Sequence, residues 1–292
     1  MELLIDEFIE DLINKQASEN TVASYKRDII KFYNYFEQKS KKIFDLTRND
    51  MSEYIDDLKL ANKSNSTISR MVASIKAFYK YLISKKLVSE NIAVGVKIPK
   101  VDRKAPTILT TSEIEKLLEQ PDMKDLKGQR DKAMLELLYV TGIRVTELIS
   151  LNIDDVNINA QYIRVKKKNT ERQVPLGKYS TKCMKNYIDD IRPLLIKTEK
   201  EKSLFINANG NKMTRQGFWK ILKQYSDQAN IEKDLTPHSI RHSFAVHLIQ
   251  KGTDIKKIQQ LLGHTDIAST MMYEQFASLN KDDFKDINPD VL

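Results

Sequence analysis

Apolar residues recur at helical spacing through residues 1–86, and no glycine or proline interrupts that span. The first apolar stripe consists of Leu3, Leu4, Phe8, Leu12 and Ile13. Three more helices are expected after Ser18, Thr47 and Ser64, because hydroxyl side chains cap helix N-termini. The pattern predicts a bundle of about four helices.

The pattern changes from about residue 107 to shorter helices with strand-like segments between them. Residues 110–113 match a capping box, and residues 129–141 form an apolar helix that ends at Gly142. The segments 162–165 and 173–176 resemble strands on either side of a basic turn, which predicts a β-hairpin. Further helices are expected to begin near residues 180, 214, 236 and 254. The predicted fold class is mainly α with a small antiparallel β-sheet.

A basic segment with two prolines, KIPKVDRKAP, separates the two patterns. It is typical of an extended linker. A chain of 292 residues also exceeds the usual size of one domain. We therefore predict an N-terminal helical domain over 1–98, a linker over 99–106 and a second domain over 107–292.

The net charge of +8 favours a polyanionic partner. Residues 58–104 contain 11 basic residues against 2 acidic ones. A solvated surface would explain such a run, but apolar anchors position part of it on one helix, as expected of a helix that contacts phosphates. The candidate contacts to double-stranded DNA are Arg70, Lys76, Lys80, Lys100 and Lys104.

Other classes of protein fit the sequence poorly. The single cysteine, Cys183, excludes an internal disulfide and a cysteine-based zinc site. No apolar run approaches ~20 residues, so no membrane span is expected. The acidic start, MELLIDEFIEDL, lacks the basic region of a signal peptide. We expect a cytoplasmic protein that does not associate with membranes.

Residues 235–276 hold all four histidines of the chain. Thr236 and Pro237 predict a helix start, and the spacing then places His238 and Arg241 on one face. His264 follows Gly263, which ends the next helix. Because no HExxH motif is present, a zinc site is poorly motivated, and His242 and His247 are expected to be structural.

These residue types suit the transfer of a phosphoryl group. Arginine supplies fixed, bidentate donors for the charge that develops on a phosphodiester under attack. Histidine can move a proton near neutral pH, and cationic neighbours can activate a tyrosine. Lysine can protonate a leaving 5′ oxygen. Together, such groups support a reaction through a covalent phosphotyrosine.

Four motifs resemble those of the tyrosine recombinase (phage integrase) family, and within it the Xer-type recombinases. They are VTGIRVTEL at 140–148, KKKNTERQVPL at 166–176, HSIRHSFAVHL at 238–248, and LLGH at 261–264 followed by Tyr273. The resemblance implies a SAM-like core-binding domain and a catalytic domain that form a clamp around DNA. It assigns phosphate binding and acid–base roles to Arg144, His238, Arg241 and His264, and nucleophilic attack to Tyr273.

The family's catalytic lysine has two candidates here, because the hairpin is one residue shorter than usual. Counting forward from Arg144 favours Lys168, and counting back from Pro175 favours Lys167. We choose Lys168, on the basis of the resemblance.

The resemblance implies site-specific recombination: Tyr273 cuts one strand, remains joined to its 3′ phosphate and leaves a free 5′ hydroxyl. Neither metal nor nucleotide is required, because the tyrosyl link conserves the bond energy. Four protomers on two DNA sites form the expected assembly. The alternatives are a type IB topoisomerase, which shares the chemistry, and a DNA-binding architectural protein with a silent site.

Overall fold

A computed structural model describes residues 2–100, 105–167 and 170–279 of the protein. The chain divides into two compact units, Met1–Lys104 and Ala105–Leu292. Two predicted functional residues, Lys104 and Lys168, lie outside the described residues. None of the helices described is long and apolar enough to cross a membrane.

The N-terminal unit consists of helices joined by short turns. They are α1 (Glu2–Asn14), α2 (Glu19–Gln38), a 3-10 turn (Ile43–Asp45), α3 (Arg48–Leu60) and α4 (Asn65–Ser84). The predicted caps are confirmed: Ser18, Thr47 and Ser64 each accept a backbone N–H from the third residue of the helix that follows. The caps satisfy donors that a helix leaves unpaired at its start.

The apolar stripe predicted for α1 is confirmed only in part, since Phe8 is buried and Leu4 and Leu12 pack against the core. The buried residues of α1 are Ile5, Phe8 and Ile9, whereas Leu3 is 75% exposed and Ile13 is 56% exposed. The Phe8 ring packs edge-on against Phe78 of α4, with centroids 5.3 Å apart. Because α1 has apolar residues on several sides, its packing against both α2 and α4 decides which of them are buried.

The C-terminal unit is also mostly helical. Its helices are α5 (Thr111–Glu119), α6 (Leu126–Thr141), α7 (Val145–Leu148), α8 (Lys178–Asn186), α9 (Arg192–Leu195), α10 (Arg215–Gln228), α11 (Pro237–Gln250), α12 (Ile255–Leu262) and α13 (Ala268–Leu279). A π-helical turn at Tyr187–Ile191 joins α8 to α9. The predicted fold class, mainly α with a small antiparallel sheet, is confirmed.

The sheet has three antiparallel strands in the order β1 (Val156–Asn157), β2 (Tyr162–Lys167) and β3 (Thr170–Pro175). The hairpin was predicted with strands that are too short, since Lys166 pairs with Glu171 and Val165 with Arg172. Charged residues occupy this outer end of both strands, so the apolar alternation stops before the backbone pairing does. The two-residue strand β1 was not predicted.

Helices α6 and α11 form the centre of the unit, and both are buried on nearly all sides. Gly142 ends α6 in the left-handed conformation, with φ of 56°. A Cβ atom at this position would lie 2.2 Å from the Phe244 ring on α11. Glycine therefore allows the chain to turn tightly against α11, and Arg144 follows two residues later.

Candidate active site

Arg241 on α11 is 3% exposed and joins three parts of the site. Its guanidinium donates to the carbonyl oxygen of Gly142 at 2.6 Å, to that of Leu262 at 2.7 Å, and to Nε2 of His264 at 2.9 Å. Burial, and then the charge of Arg144, lower its pKa to about 10. The group therefore stays cationic at neutral pH while it holds the ends of α6 and α12 together.

His264 is held as a neutral imidazole. Because an arginine can only donate, Nε2 of His264 accepts from Arg241, and Nδ1 donates its hydrogen to Oγ1 of Thr270 at 2.8 Å. Burial, and then Arg241, lower its pKa to about 4. The turn that carries His264 starts at Gly263, which has a φ of 64°. Both ring nitrogens therefore have partners that orient the ring.

Tyr273 lies on α13 and is 2% exposed. Its hydroxyl shares a hydrogen bond of 2.8 Å with Nδ1 of His242, and its ring lies nearly parallel to that of His264, with centroids 6.4 Å apart. Burial raises the pKa of the phenol, whereas the charges of Arg241 and Arg144 act in the opposite direction. The candidate nucleophile is thus a neutral phenol with two cations close enough to affect its titration.

His242 was expected to be structural, and its contact with Tyr273 was not anticipated. Burial lowers its pKa to about 4, so the neutral ring can accept the phenolic hydrogen. One feature of the sequence indicates that His242 lies at the site: it follows His238 by four residues, which places both on one helix face. Their ring centroids are 6.2 Å apart. His238 itself is accessible to solvent, and partial burial and Arg241 lower its pKa.

The structural role expected of His247 is confirmed. The ring is 2% exposed. Nε2 donates to the carbonyl oxygen of Leu109 at 2.9 Å, and Nδ1 accepts from the Tyr139 hydroxyl at 2.9 Å. These contacts tie α11 to α6 and to the segment before α5.

The same histidine leads to an expected pH dependence of stability. Burial lowers the pKa of His247 from 6.5 to about 4, so between these values the unfolded chain binds a proton that the folded chain does not. The contribution of His247 to the free energy of unfolding is fully present above about pH 6.5 and is lost as the pH falls towards about 4. Between these values the free energy of unfolding changes by up to about 1.4 kcal/mol per pH unit. Urea unfolding at about pH 7 and about pH 5 measures it. His247→Gln should flatten the dependence, and an unchanged slope would contradict the assignment.

Arg144 is the N-cap residue directly before α7, and its side chain is 33% exposed. Its backbone N–H donates to Oε2 of Glu147 at 2.8 Å, and its Nη1 lies 3.4 Å from Oε1 of the same carboxylate. Together with Lys166, both line an open depression whose other lining residues are Thr146 and Ser150. Arg144 thus presents a guanidinium to solvent beside the buried Arg241 cluster.

The hairpin brings a lysine-rich strand end to this side of the unit. Lys166 forms an ion pair with Asp155 at 2.7 Å. Lys167 is the last residue of β2 and pairs with Thr170, whereas Lys168 lies outside the described residues. The choice of Lys168 over Lys167 as the catalytic lysine therefore stays a prediction.

The candidate DNA contacts of the N-terminal unit differ in their surroundings. Lys76 and Lys80 on α4 and Lys100 are exposed, and none of the three forms an ion pair with an acid in the described part of the chain. Arg70 differs because it pairs with the buried carboxylate of Asp28. The guanidinium of Arg70 therefore has a structural partner, and Lys76, Lys80 and Lys100 are the stronger candidates.

Within residues 2–100, 105–167 and 170–279, no group of three or more His, Cys, Asp or Glu side chains could hold a metal ion. The candidate site is instead composed of guanidinium, imidazole and phenol groups, which suit phosphate chemistry.

The family of the protein follows from its sequence matches. Residues 107–278 match the phage integrase family, and residues 5–86 match the N-terminal SAM-like domain of phage integrases. The chain belongs to the phage integrase family and is an enzyme of the tyrosine recombinase type. This confirms the resemblance seen in the motifs.

Among individual relatives, the chain is similar to tyrosine recombinase XerD of several bacteria. It is 40% identical over 276 residues to that of Staphylococcus epidermidis, covering 94% of both chains. It is 40% identical over 295 residues to that of Oceanobacillus iheyensis, covering 99% of both.

Solved structures agree on the fold. The Tn1549 transposon integrase in complex with a circular intermediate DNA has a TM-score of 0.77 and 20% identity, over 92% of this chain and 94% of that one. The XerH site-specific recombinase bound to its palindromic difH substrate has a TM-score of 0.74 and 22% identity, over 91% and 79%. At this identity the likeness is one of fold.

Proposed function

We propose that this recombinase cuts and rejoins double-stranded DNA at a specific site, with Tyr273 as the nucleophile. One observation carries the proposal: the phenol, two neutral imidazoles and Arg241 come from three separate helices or turns, yet they meet in one buried cluster. A single tyrosine or arginine would most simply be a packing residue or a surface charge. The convergence of all four groups favours catalysis.

The proposed reaction forms a bond between the Tyr273 oxygen and phosphorus as the bond to the 5′ oxygen breaks. Arg144 and Arg241 would stabilise the charge on the non-bridging oxygens. The phenolic proton has an acceptor within reach, the neutral ring of His242. The hairpin lysine, Lys168 or Lys167, would protonate the leaving 5′ oxygen. His238 is assigned to phosphate binding, and His264 orients Arg241.

The reverse step uses the same groups. The free 5′ hydroxyl of a partner strand would attack the phosphotyrosine and release Tyr273. Since the covalent link retains the energy of the broken bond, no nucleotide or metal cofactor is assigned to the reaction.

The assembly is a further part of the proposal. Residues 1–98 and 107–292 would form separate domains that close on DNA as a clamp, with the linker 99–106 along the backbone. Strand exchange between two sites would require four protomers, each of which contributes one tyrosine. The bacterial cytoplasm is the expected location, because the DNA substrate lies there. The choice among chromosome-dimer resolution, integration and inversion depends on the target site.

A paired-site assay tests the proposal. Genomic fragments retained by the purified protein would supply the target site, and plasmids carrying one or two copies would be substrates. We expect recombinant products only with two copies. A type IB topoisomerase would instead relax a supercoiled plasmid with no target site, and an architectural protein would bind without forming any covalent adduct.

The candidate lysines of the N-terminal unit should make DNA binding steeply dependent on salt. Each real phosphate contact contributes about 0.9 to the slope of log K against log salt. Replacing the four candidate lysines by alanine should reduce the slope by that amount for each true contact. The residues are Lys76, Lys80, Lys100 and Lys104.

A matched control uses four lysines of the same unit that are already paired with carboxylates. They are Lys15, Lys26, Lys41 and Lys59. Their replacement changes the net charge equally but should leave the slope closer to the wild-type value. Equal slopes for the two quadruple variants would place the basic segment away from DNA.

A further inference from the structure

Arg172 on β3 donates hydrogen bonds within the candidate site from all three nitrogens of its guanidinium. Nη1 and Nη2 bind the two carboxylate oxygens of Glu147 at 3.0 and 2.9 Å, and Nε donates to the carbonyl oxygen of Leu261 at 3.0 Å. The side chain is 17% exposed. The family motifs predict no role for Arg172.

The partners of Arg172 belong to two elements that carry candidate catalytic residues. The carboxylate of Glu147 also accepts the backbone N–H of Arg144. Leu261 precedes Leu262, whose carbonyl accepts from Arg241, and the same turn leads into His264. Gly263 lies directly against the guanidinium, since a Cβ atom there would be 2.8 Å from Nη1. Arg172 thus links the hairpin, the start of α7 and the turn after α12.

The two parallel hydrogen bonds from Arg172 to the Glu147 carboxylate, here called the fork, depend on the planar shape of the guanidinium. Burial raises the pKa of Glu147, but hydrogen bonds from Arg172 and the backbone of Arg144 bring it below its ordinary value. The carboxylate is therefore charged and depends on its partners. A lysine would retain a positive charge but could not make two parallel hydrogen bonds and a third to Leu261.

We infer that Arg172 is a positioning residue that sets the lysine-bearing hairpin against Arg144 and His264. Arg172 is only two residues from Thr170, the strand partner of Lys167. A hairpin released from Glu147 and Leu261 would leave its lysine poorly placed, while Arg241 stays on α11 and Arg144 keeps its backbone hydrogen bond to Glu147. The inference rests on the proposed function, in which that lysine protonates the leaving 5′ oxygen.

The chemistry of the leaving group provides a specific test. When the bond between phosphorus and the 5′ oxygen breaks, the oxygen must receive a proton. If sulfur replaces this bridging oxygen, the departing group is a thiolate, which is stable without one because a thiol is far more acidic than an alcohol. The sulfur substrate is therefore insensitive to the position of the lysine, yet it still needs Tyr273 and both arginines.

The experiment compares Arg172→Lys with the wild-type protein on matched oxygen and sulfur suicide substrates. We expect covalent adduct formation to slow roughly 10²-fold on the oxygen substrate, the size typical of a general acid, and less than about 3-fold on the sulfur substrate. DNA affinity should be nearly unchanged. Arg164→Lys is the control, because Arg164 lies on the same hairpin but binds the carbonyl of Asp154 instead. It should behave like the wild type on both substrates.

Each other outcome has a distinct meaning. Equal slowing on both substrates, or an unchanged rate on oxygen, would overturn the positioning role. If Arg172→Lys fails to fold, Glu147→Gln removes the negative charge and replaces one of the two acceptor oxygens by an N–H donor, and it should show the same preference for the sulfur substrate. If wild-type protein forms no adduct with either substrate, the proposed function fails, whatever the role of Arg172.

Discussion

Tyr273→Phe is expected to abolish covalent attachment to DNA, by at least about 10⁴-fold, while target binding is retained. Only the hydroxyl is removed, and its one hydrogen bond to another described residue is to His242. The ring would keep its buried position beside His264. A substrate nicked near the scissile phosphate traps the adduct, which is then counted on a denaturing gel.

Tyr179 supplies the matched control, since it is a tyrosine of the same unit and is 53% exposed. Tyr179→Phe should form adduct at the wild-type rate. An adduct that persists in Tyr273→Phe would show that another residue is the nucleophile, and the assignment would be abandoned.

Arg144→Lys should slow cleavage by about 10²-fold or more and weaken equilibrium binding much less. The reason is that charge on the phosphate is greatest in the transition state, where a fixed guanidinium donates two hydrogen bonds and an ammonium does not. The substitution leaves the contact of the Arg144 backbone with Glu147 in place, so the start of α7 should survive. Single-turnover cleavage and a binding titration measure the two effects separately.

Arg48→Lys is the control, because Arg48 is an arginine of the N-terminal unit with 59% of its side chain exposed. It should leave both rate and affinity near the wild-type values. Equal losses of rate and affinity in Arg144→Lys would indicate ordinary phosphate anchoring.

Arg241→Lys should lose rate and thermal stability together, since the buried acceptors on Gly142, Leu262 and His264 would lose their donor.

The sequence by itself determined where many helices begin and end. Ser18, Thr47, Ser64 and Thr236 cap helices as expected, because a cap involves residues only three positions apart. Gly142 and Gly263 end helices for an equally local reason, since each adopts positive φ. The family motifs likewise predict Arg144, His238, Arg241, His264 and Tyr273 as the site residues without any coordinates.

The tertiary structure decided the contacts among residues far apart in the chain. The partner of Tyr273 is His242, 31 positions away, and the fork from Arg172 reaches Glu147 over 25 positions. Apolar periodicity carries no information about such pairs, because it reports which face of an element is buried and not what that face meets. In α1, periodicity did not decide even the whole buried face, because Leu3 and Ile13 of the predicted stripe are exposed and Phe8 packs against Phe78 of α4. The helices and the chemical groups were therefore local properties of the sequence, whereas their assembly into one site required packing.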